Sequence, residues 1–253
     1  MKPTLPLLRG CEPCPSGVSY AFTTRLGGVS VGPVASLNLA RTPTDTDEAV
    51  GENWRRVAAA MQVGVEQIAL LTQIHGVDVA RVVAGGGPLD VVAVADAAVC
   101  TEPGVLLTIR VADCVPVLLY ALGGVAVAHA GWRGAAGDIV TKTAQALAEA
   151  TEQPVESIRA WVGPCIAVES YETGPEVVDA LASSGIDRPI AAPPGPWERE
   201  HADVRAVVDA QLRRLGIAVE HIERDTATDD SLFSYRGDNG VTGRLAGVIV
   251  LRA

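Results

Sequence analysis

The sequence has little lysine, and its arginines form no basic stripe. Two of the 20 basic residues are lysine, the arginines are scattered along the chain, and the formal net charge is −10. Because an acidic surface repels a phosphate backbone, this composition argues against a nucleic-acid partner. We expect instead a protein whose partners are small molecules.

The chain also lacks a long uninterrupted apolar run. Its longest apolar stretch, residues 115–130, is interrupted by Pro116, Gly123 and Gly124, which predicts two buried strands and a turn. The apolar patch at residues 5–8 is too short, and too broken by proline, to form the core of a signal peptide. We therefore expect a cytoplasmic protein with no membrane partner.

The five cysteines do not indicate a secreted disulfide framework, because their number is odd and the chain is long. Reduced thiols are expected. Cys11 and Cys14 form a C-x-x-C pair, but no second pair and no nearby histidine completes a zinc ribbon. We interpret Cys11 and Cys14 as a pair that forms neither a metal site nor a redox site.

Apolar residues are abundant, and their spacing predicts an α/β protein. A chain of 253 residues that is 48% hydrophobic can bury a large core. Thr46, Asp47 and Glu48 precede apolar residues at helical spacing, which predicts a helix that ends near Gly64. The remaining pattern predicts a buried mixed sheet in one domain spanning residues 1–253. The other predicted helices cover 135–150 and 203–215, and the predicted strands cover 18–24, 66–73, 77–84, 96–100, 105–111, 115–121, 124–130, 158–162 and 246–251.

Three side chains that can bind a soft metal each lie at the end of an apolar strand, beside glycine or proline. They are His75 in TQIHG, Cys114 in ADCVP and His129 in AHAGWRG. Strand ends and the loops that follow them commonly carry functional residues. Zinc prefers nitrogen and sulfur ligands, and a catalytic zinc keeps three protein ligands and one open position. The three residues meet that count and are candidate catalytic metal ligands.

Two other interpretations of these three side chains are open at this point. Each could be an ordinary hydrogen-bonded side chain of the core, as buried histidines and lone cysteines usually are. A thiolate beside a histidine is also the general arrangement of a cysteine nucleophile and its base. The residues alone therefore leave a metal site, a cysteine hydrolase and a plain core as alternatives.

The segments around these residues resemble the signature of the laccase-domain family, whose members were named multicopper polyphenol oxidoreductases. The resemblance extends over nearly the whole chain as an ordered set of motifs. These are TRLGGVS at 24–30, SLNL at 36–39, HG at 75–76, ADCVP at 112–116, HAGWRG at 129–134, GP at 163–164 with YE at 171–172, and FSYR at 233–236 with TGR at 242–244. HAGWRG alone is rather specific, and the order of the motifs argues strongly against coincidence.

The resemblance implies a layered α/β/β/α fold with mixed sheets and a zinc ion held by His75, Cys114 and His129. It also implies a purine nucleoside phosphorylase, which converts adenosine, inosine or guanosine and phosphate to the free base and ribose 1-phosphate, with adenosine deaminase activity. Copper fits less well. Multicopper oxidases need many histidines, and this chain has four, of which His201 and His221 lie outside the shared motifs. The expected assembly is a monomer or a homodimer.

Charged and polar residues near the candidate ligands have two interpretations each. Arg133, at a predicted helix start, would supply a guanidinium to phosphate or form a structural ion pair. Asp113 would accept the second N–H of a ligand histidine or cap a turn. Asp96, among apolar residues, would bind the substrate base or ribose, or form a structural ion pair. Tyr171 is predicted to fix a loop rather than to perform acid–base chemistry.

The shared motifs also carry candidate substrate-binding residues. Arg25, Asn38 and Arg236 lie on polar loops and are predicted to line the substrate pocket, Asn38 through its paired donor and acceptor groups. Phe233 and Tyr235 are predicted to stack on the purine ring, with packing as the alternative for each.

Three classes of function follow. Zinc-dependent phosphorolysis and deamination of nucleosides predicts base release that requires phosphate. A cysteine-type amidase or hydrolase acting on cell-wall precursors, an activity also suggested for bacterial relatives, predicts thiol-dependent hydrolysis that is indifferent to phosphate and to chelators. A non-catalytic metal-binding protein predicts metal binding without turnover.

Overall fold

The computed structural model describes residues 5–10, 15–87 and 90–253. Cys11 and Cys14 lie outside these residues, so the interpretation of their C-x-x-C pair stays a prediction. No helix in the described part of the chain is both long enough and apolar enough to span a bilayer.

The described residues form eleven strands and six α-helices. The strands are β1 (Val18–Phe22), β2 (Ile68–Thr72), β3 (Val79–Arg81), β4 (Val91–Val94), β5 (Ala97–Cys100), β6 (Leu106–Val111), β7 (Val115–Ala121), β8 (Gly124–Ala130), β9 (Arg159–Val162), β10 (Ala218–His221) and β11 (Leu245–Leu251). The α-helices are α1 (Asp47–Ala60), α2 (Trp132–Ala136), α3 (Ile139–Thr151), α4 (Pro175–Ala182), α5 (Arg188–Ala191) and α6 (Val204–Arg214).

The strands form two mixed sheets. The first has the order β1-β11-β6-β2-β4, in which β11 pairs antiparallel with β1 and β6, while β2 pairs parallel with β6 and β4. The second has the order β10-β9-β7-β8-β5-β3, with antiparallel pairing in the middle and a parallel strand at each edge. The prediction of an α/β protein with mixed sheets is confirmed.

Three apolar clusters pack these elements into four layers. Along β7, Leu118 points toward the first sheet, where it joins a cluster with Phe22 and Ile249, because successive side chains of a strand point to opposite faces. Its neighbour Leu119 points the other way and joins the cluster under α3, α4 and α6. Trp54 of α1 covers the outer face of the first sheet. The predicted α/β/β/α arrangement is therefore confirmed, whereas one domain over residues 1–253 stays a prediction.

Local signals set several of the boundaries. The side chain of Thr46 accepts the backbone N–H of Ala49 at 3.1 Å and caps α1, as its position before the helix predicted. The helix predicted over 135–150 is wrong at its start, because α2 and α3 meet at Asp138, whose φ of +61° interrupts a continuous helix. The short helix α2 begins at Trp132, two residues after the end of β8 and close to the candidate ligand His129.

Candidate metal centre

His75, Cys114 and His129 come together at one edge of the two sheets. His75 lies in the loop after β2, Cys114 in the turn between β6 and β7, and His129 near the end of β8. Their candidate ligand atoms all lie within 4.8 Å of one another, and the two imidazole rings meet edge to face with centroids 4.8 Å apart. The three predicted ligands form a group that could hold a metal ion.

The buried carboxylate of Asp96 holds the loop that carries His75. The backbone N–H groups of Ile74, His75 and Gly76 donate to this carboxylate at 3.0, 3.0 and 2.7 Å. His75 has a φ of +58°, a left-handed conformation that lets successive N–H groups converge on an anion. Asp96 therefore fixes the position of His75 through the backbone.

The same carboxylate also orients the second histidine ligand. Nδ1 of His129 lies 2.8 Å from Oδ1 of Asp96, and the side chains are 4% and 0% exposed. Because a carboxylate accepts the Nδ1 proton, Nε2 of His129 is left with its lone pair free for a metal. One carboxylate therefore positions two of the three candidate ligands.

Opposing effects act on the protonation of this pair. Burial raises the pKa of Asp96, but the hydrogen bonds from His129, Gly76 and Ile74 outweigh burial and hold it below its usual range. Burial lowers the pKa of His129, but its interactions with Cys114 and Asp96 outweigh burial and raise that pKa to about 9. In the protein without metal, the imidazolium form of His129 is therefore favoured beside Asp96.

This arrangement predicts how the stability of the metal-free protein depends on pH. The folded pKa of His129, about 9, lies above the ordinary value of 6.5, so protonation of this group stabilises the fold fully below about pH 6.5. That stabilisation is lost as the pH rises through 9. Urea unfolding of the metal-free protein between pH 6 and 10 should show that the free energy of unfolding falls as the pH rises, and this fall should be absent in His129→Gln. If the free energy of unfolding changes with pH equally in both proteins, the prediction is wrong.

Asp113 connects the Cys114 turn to a distant segment. Its carboxylate accepts the hydroxyls of Thr226 and Ser234 at 2.7 and 2.6 Å and the backbone N–H of Arg236 at 2.7 Å. Asp113 has a φ of +84° and makes no bond to either histidine ligand in the described residues. The hypothesis that it orients a ligand histidine is wrong, because Asp96 occupies that position.

The three candidate ligands lie in a cleft of about 560 Å³ whose charged lining is mainly basic. The arginines that line it are Arg110, Arg133, Arg236 and Arg244. Asp113 is the one carboxylate residue of the lining, and its oxygens are engaged in the hydrogen bonds given above. Although the chain carries a net charge of −10, this cleft is suited to an anion.

The structure divides the other predicted site residues into two groups. Arg133, Tyr235 and Arg236 line the cleft together with the metal ligands. The guanidinium of Arg133 stacks on the ring of Trp132 at 4.1 Å, and Tyr235 is 55% exposed. These positions leave Arg133, Tyr235 and Arg236 free to meet a bound molecule.

The remaining four predicted residues lie behind the cleft wall. Asp96, Asn38 and Phe233 are fully buried, and the guanidinium of Arg25 lies over the Phe233 ring at 4.6 Å. Oδ1 of Asn38 accepts the backbone N–H of Arg244 at 3.0 Å. The expectation of direct substrate contact is corrected for these side chains. The polar groups of Arg25, Asn38 and Asp96 bond to the protein itself, and the buried Phe233 ring packs under Arg25.

Sequence reasoning missed three residues of the cleft. The sequence predicts no role for Arg110 or Arg244 and predicts that Tyr171 fixes a loop, yet all three line the cleft. A signal for Arg110 was present, because an arginine interrupts the otherwise apolar strand LLTIRV. Burial raises the pKa of Tyr171 to about 12, so its hydroxyl stays protonated at neutral pH and can donate a hydrogen bond.

Comparison with known proteins identifies the family of this chain. Residues 19–252 match the family described as multi-copper polyphenol oxidoreductase laccase. The chain belongs to this laccase family. A purine nucleoside phosphorylase of Deinococcus radiodurans is 39% identical over 251 residues, covering 98% of this chain and 94% of that protein. Purine nucleoside phosphorylase YfiH of Escherichia coli is 36% identical, covering 94% and 96%.

Solved structures of the laccase family share the fold of this chain. The Bacillus licheniformis hypothetical protein YfiH superposes with a TM-score of 0.87 at 27% sequence identity, covering 93% of both chains. YlmD of Geobacillus stearothermophilus gives a TM-score of 0.81 at 31% identity, covering 94% of this chain and 93% of that chain.

The histidines of this laccase family member do not supply a site for several copper ions. His201 bonds through Nδ1 to the backbone carbonyl of Val168 at 2.6 Å, and His221 bonds to Asp209 at 2.8 Å. Neither joins the His75 group within the described residues. A multicopper centre needs many imidazole ligands, so the family description does not fit the ligands present here.

Proposed function

We propose that this protein is a cytoplasmic, zinc-dependent purine nucleoside phosphorylase that also deaminates adenosine. The observation that carries the proposal is the convergence of His75, Cys114 and His129 in a basic cleft. Relatives of 36–39% identity that cover nearly the whole chain bear the name purine nucleoside phosphorylase, which supports the reaction class. The substrates are a purine nucleoside and phosphate.

The donor set fits zinc. Two imidazole nitrogens and one thiolate sulfur are ligands that zinc prefers, and three protein ligands leave a fourth position for water or substrate. Zinc bound there would polarise a substrate group and lower the pKa of a bound water, which is the chemistry that deamination of adenosine requires. Asp96 would keep both imidazoles oriented toward the ion.

The chain's own residues would supply the other requirements of phosphorolysis. Phosphate must be held close to the sugar carbon whose bond to the base breaks, and the charge that develops there must be stabilised. The guanidinium of Arg133 faces the cleft and is proposed to contact phosphate. Tyr235 offers an exposed ring on which a purine can stack, and Arg236 lies beside it.

Product analysis tests this proposal. Protein of known zinc content is incubated with adenosine, with and without phosphate, next to His129→Ala. We expect adenine and ribose 1-phosphate when phosphate is present, inosine from deamination, and neither product from the variant. Zinc-loaded protein that forms no product under either condition would overturn the proposal and favour the non-catalytic metal-binding class.

Replacing Arg133 by alanine is expected to lower kcat/KM for phosphate by about 10–150-fold, since a charge-assisted hydrogen bond contributes roughly 1.5–3 kcal/mol. Arg159 of β9 is exposed and lies outside the cleft lining, so Arg159→Ala is the control. Steady-state assays at varied phosphate measure both. If Arg133→Ala weakens phosphorolysis no more than Arg159→Ala does, the phosphate role of Arg133 is abandoned.

One observation favours the second candidate, a cysteine-type amidase or hydrolase acting on cell-wall precursors. Cys114, His129 and Asp96 follow one another in space as a thiol, an imidazole and an orienting carboxylate, the arrangement of a nucleophile, its base and its support. This function predicts hydrolysis that iodoacetamide abolishes and that neither chelator nor phosphate affects. Hydrolysis that stops when zinc is removed would contradict it.

We propose further that the chain forms a single domain, as a monomer or a homodimer. The match to one family over residues 19–252 supports this organisation, as do the shared apolar core between the two sheets and the absence of a long linker from the sequence. Limited proteolysis should leave one resistant core, and light scattering gives the oligomeric state. Two separately stable fragments would contradict a single domain.

A further inference from the structure

Four positive charges meet in the cleft without carboxylate partners. Within the described parts of the chain, none of the cleft arginines forms an ion pair with an aspartate or glutamate. Asp113, the one acidic residue of the lining, is already engaged by two hydroxyls and a backbone N–H. Like charges gathered in a partly enclosed space repel one another unless an anion joins them.

The register of the first sheet places two of these arginines side by side. Arg110 of β6 lies opposite Ala246 of β11, and Arg244 lies two residues before Ala246. Arg244 directly precedes β11, whose first residue, Leu245, pairs with Val111, so Arg110 and Arg244 lie at the same end of the β6–β11 pair. Each guanidinium accordingly acts on the other, since burial and then the charge of Arg244 lower the pKa of Arg110.

Hydrogen bonds to the protein fix Arg110 in place. Its Nη2 donates to the carbonyl of Leu71 at 2.6 Å. Its backbone is held on both sides by Gln73, whose amide donates to the Arg110 carbonyl at 2.7 Å and accepts the Arg110 N–H at 2.9 Å. Gln73 lies two residues before His75, so these bonds also set the position of Arg110 relative to the candidate metal ligand.

Arg244 is fixed in a similar way. The backbone N–H donates to the buried amide of Asn38 at 3.0 Å, and Nη1 donates to the carbonyls of Thr242 and Gly243 at 3.4 and 3.0 Å. Arg244 lines the same cleft as His75, Cys114 and His129. Both guanidinium groups are therefore held in position beside the ligand group before any substrate binds.

We propose that Arg110 and Arg244 form an oxyanion site next to the metal centre, which holds phosphate during phosphorolysis. The identity of the anion rests on the proposed function, whereas the anion site itself does not. Two guanidinium groups held by backbone carbonyls offer their remaining N–H groups as a rigid set of donors, which suits the oxygens of a tetrahedral anion.

The other two arginines differ in how they are held. Arg133 is exposed and stacks on Trp132, and the guanidinium of Arg236 donates to the Glu172 carbonyl at 2.9 Å. Both lie at the rim of the cleft, where Arg133 would contact phosphate from the open side, whereas Arg110 and Arg244 would hold it at the cleft wall. Phosphate affinity should therefore depend more on Arg110 and Arg244 than on Arg133.

Calorimetric titration of the zinc-loaded protein with inorganic phosphate at constant ionic strength tests the proposal. Arg110→Gln and Arg244→Gln should each raise the Kd for phosphate at least tenfold, and Arg110→Lys should restore part of the affinity. Arg159→Gln is the control and should stay within twofold of the wild type. Circular dichroism and zinc content confirm that the variants are folded and loaded. Arg244→Gln keeps the test valid if loss of the Arg110–Leu71 bond prevents folding.

The outcomes separate the anion site from the proposed function. If the wild type binds phosphate and both glutamine variants do not, the anion site is supported, even if the wild type releases no base from nucleosides. Binding that survives within twofold in both variants overturns the site, even if phosphorolysis occurs. A wild-type protein that binds phosphate no better than chloride also overturns it. In a phosphorolysing enzyme, the KM for phosphate should rise at least tenfold in both variants.

Discussion

Asp96→Asn is expected to lower zinc affinity by about 10–100-fold, because a partner that orients metal ligands contributes on this scale. The carboxylate accepts three backbone N–H groups around His75 and the Nδ1 proton of His129. An asparagine side chain has one acceptor oxygen instead of two. Its NH2 group would also face groups that donate hydrogen bonds themselves, namely the backbone N–H groups around His75 and Nδ1–H of His129. We expect the free energy of unfolding to fall as well, by about 3 kcal/mol, since buried donors lose their acceptor. Competition with a chromophoric zinc chelator and urea unfolding measure the two effects.

Asp225→Asn is the matched control for this prediction. Asp225 also accepts two backbone N–H groups, those of Ala167 and Ala227, together with the hydroxyls of Ser170 and Thr228. It bonds to none of the three ligand residues within the described part of the chain. The control should lose stability and keep its zinc affinity. If both variants bind zinc like the wild type, Asp96 does not position the ligands.

Gly131→Ala is expected to lower zinc affinity at least about tenfold while leaving the fold intact. A methyl group at Gly131 would lie 2.8 Å from Nδ1 of His75 and 3.1 Å from Sγ of Cys114. The backbone there has φ −71° and ψ 170°, which alanine adopts without strain, so the effect comes from the contacts with the ligands. The exposed His75 would move away from the methyl and leave the coordination geometry.

Gly51→Ala is the control for the added methyl group. Gly51 lies within α1, and no atom lies within 4 Å of the position that its methyl would occupy. This substitution should raise the free energy of unfolding by about 0.5–1 kcal/mol, since alanine favours a helix interior over glycine, and should leave zinc binding unchanged. Unchanged zinc affinity in Gly131→Ala, measured beside this control, would mean that the ion is not held at this position.

The ligand residues could be predicted from the sequence because each lies in a segment with a recognisable local pattern. His75, Cys114 and His129 all follow or end apolar strands, and the resemblance to the laccase-domain family supplied the reason to group them. The start of α1 could also be predicted, since Thr46 and the acidic first turn are signals within one turn of the chain. Local signals and family motifs were sufficient for these features.

The role of Asp96 could not be predicted, because it depends on pairing between distant strands. The antiparallel register of β5 and β8 places Ala97 opposite Ala128, and the His129 N–H then donates to the Asp96 carbonyl at 2.7 Å. Sequence spacing of 33 residues between Asp96 and His129 gives no sign of this contact. A carboxylate in an apolar neighbourhood indicates that Asp96 has a partner, but the pairing of β5 with β8 determines that the partner is His129.

The arginine pair was missed for the same physical reason. Arg110 and Arg244 are 134 residues apart by their numbering, and they become neighbours only through the pairing of β6 with β11. Asn38 and Phe233 show the converse. Their motifs indicated function, but burial turns them into supports, with Asn38 holding the backbone of Arg244 and Phe233 lying under Arg25. Which side chain faces a cleft is decided by packing.

We propose that His75, Cys114 and His129 bind one zinc ion, and the decisive experiment is anomalous X-ray diffraction at the zinc edge from crystals of the zinc-loaded protein. We predict a single strong anomalous peak at about 2.0–2.1 Å from one nitrogen of each histidine and about 2.3 Å from the cysteine sulfur. Crystals with no peak among these three side chains, or with zinc bound only elsewhere, would contradict the account.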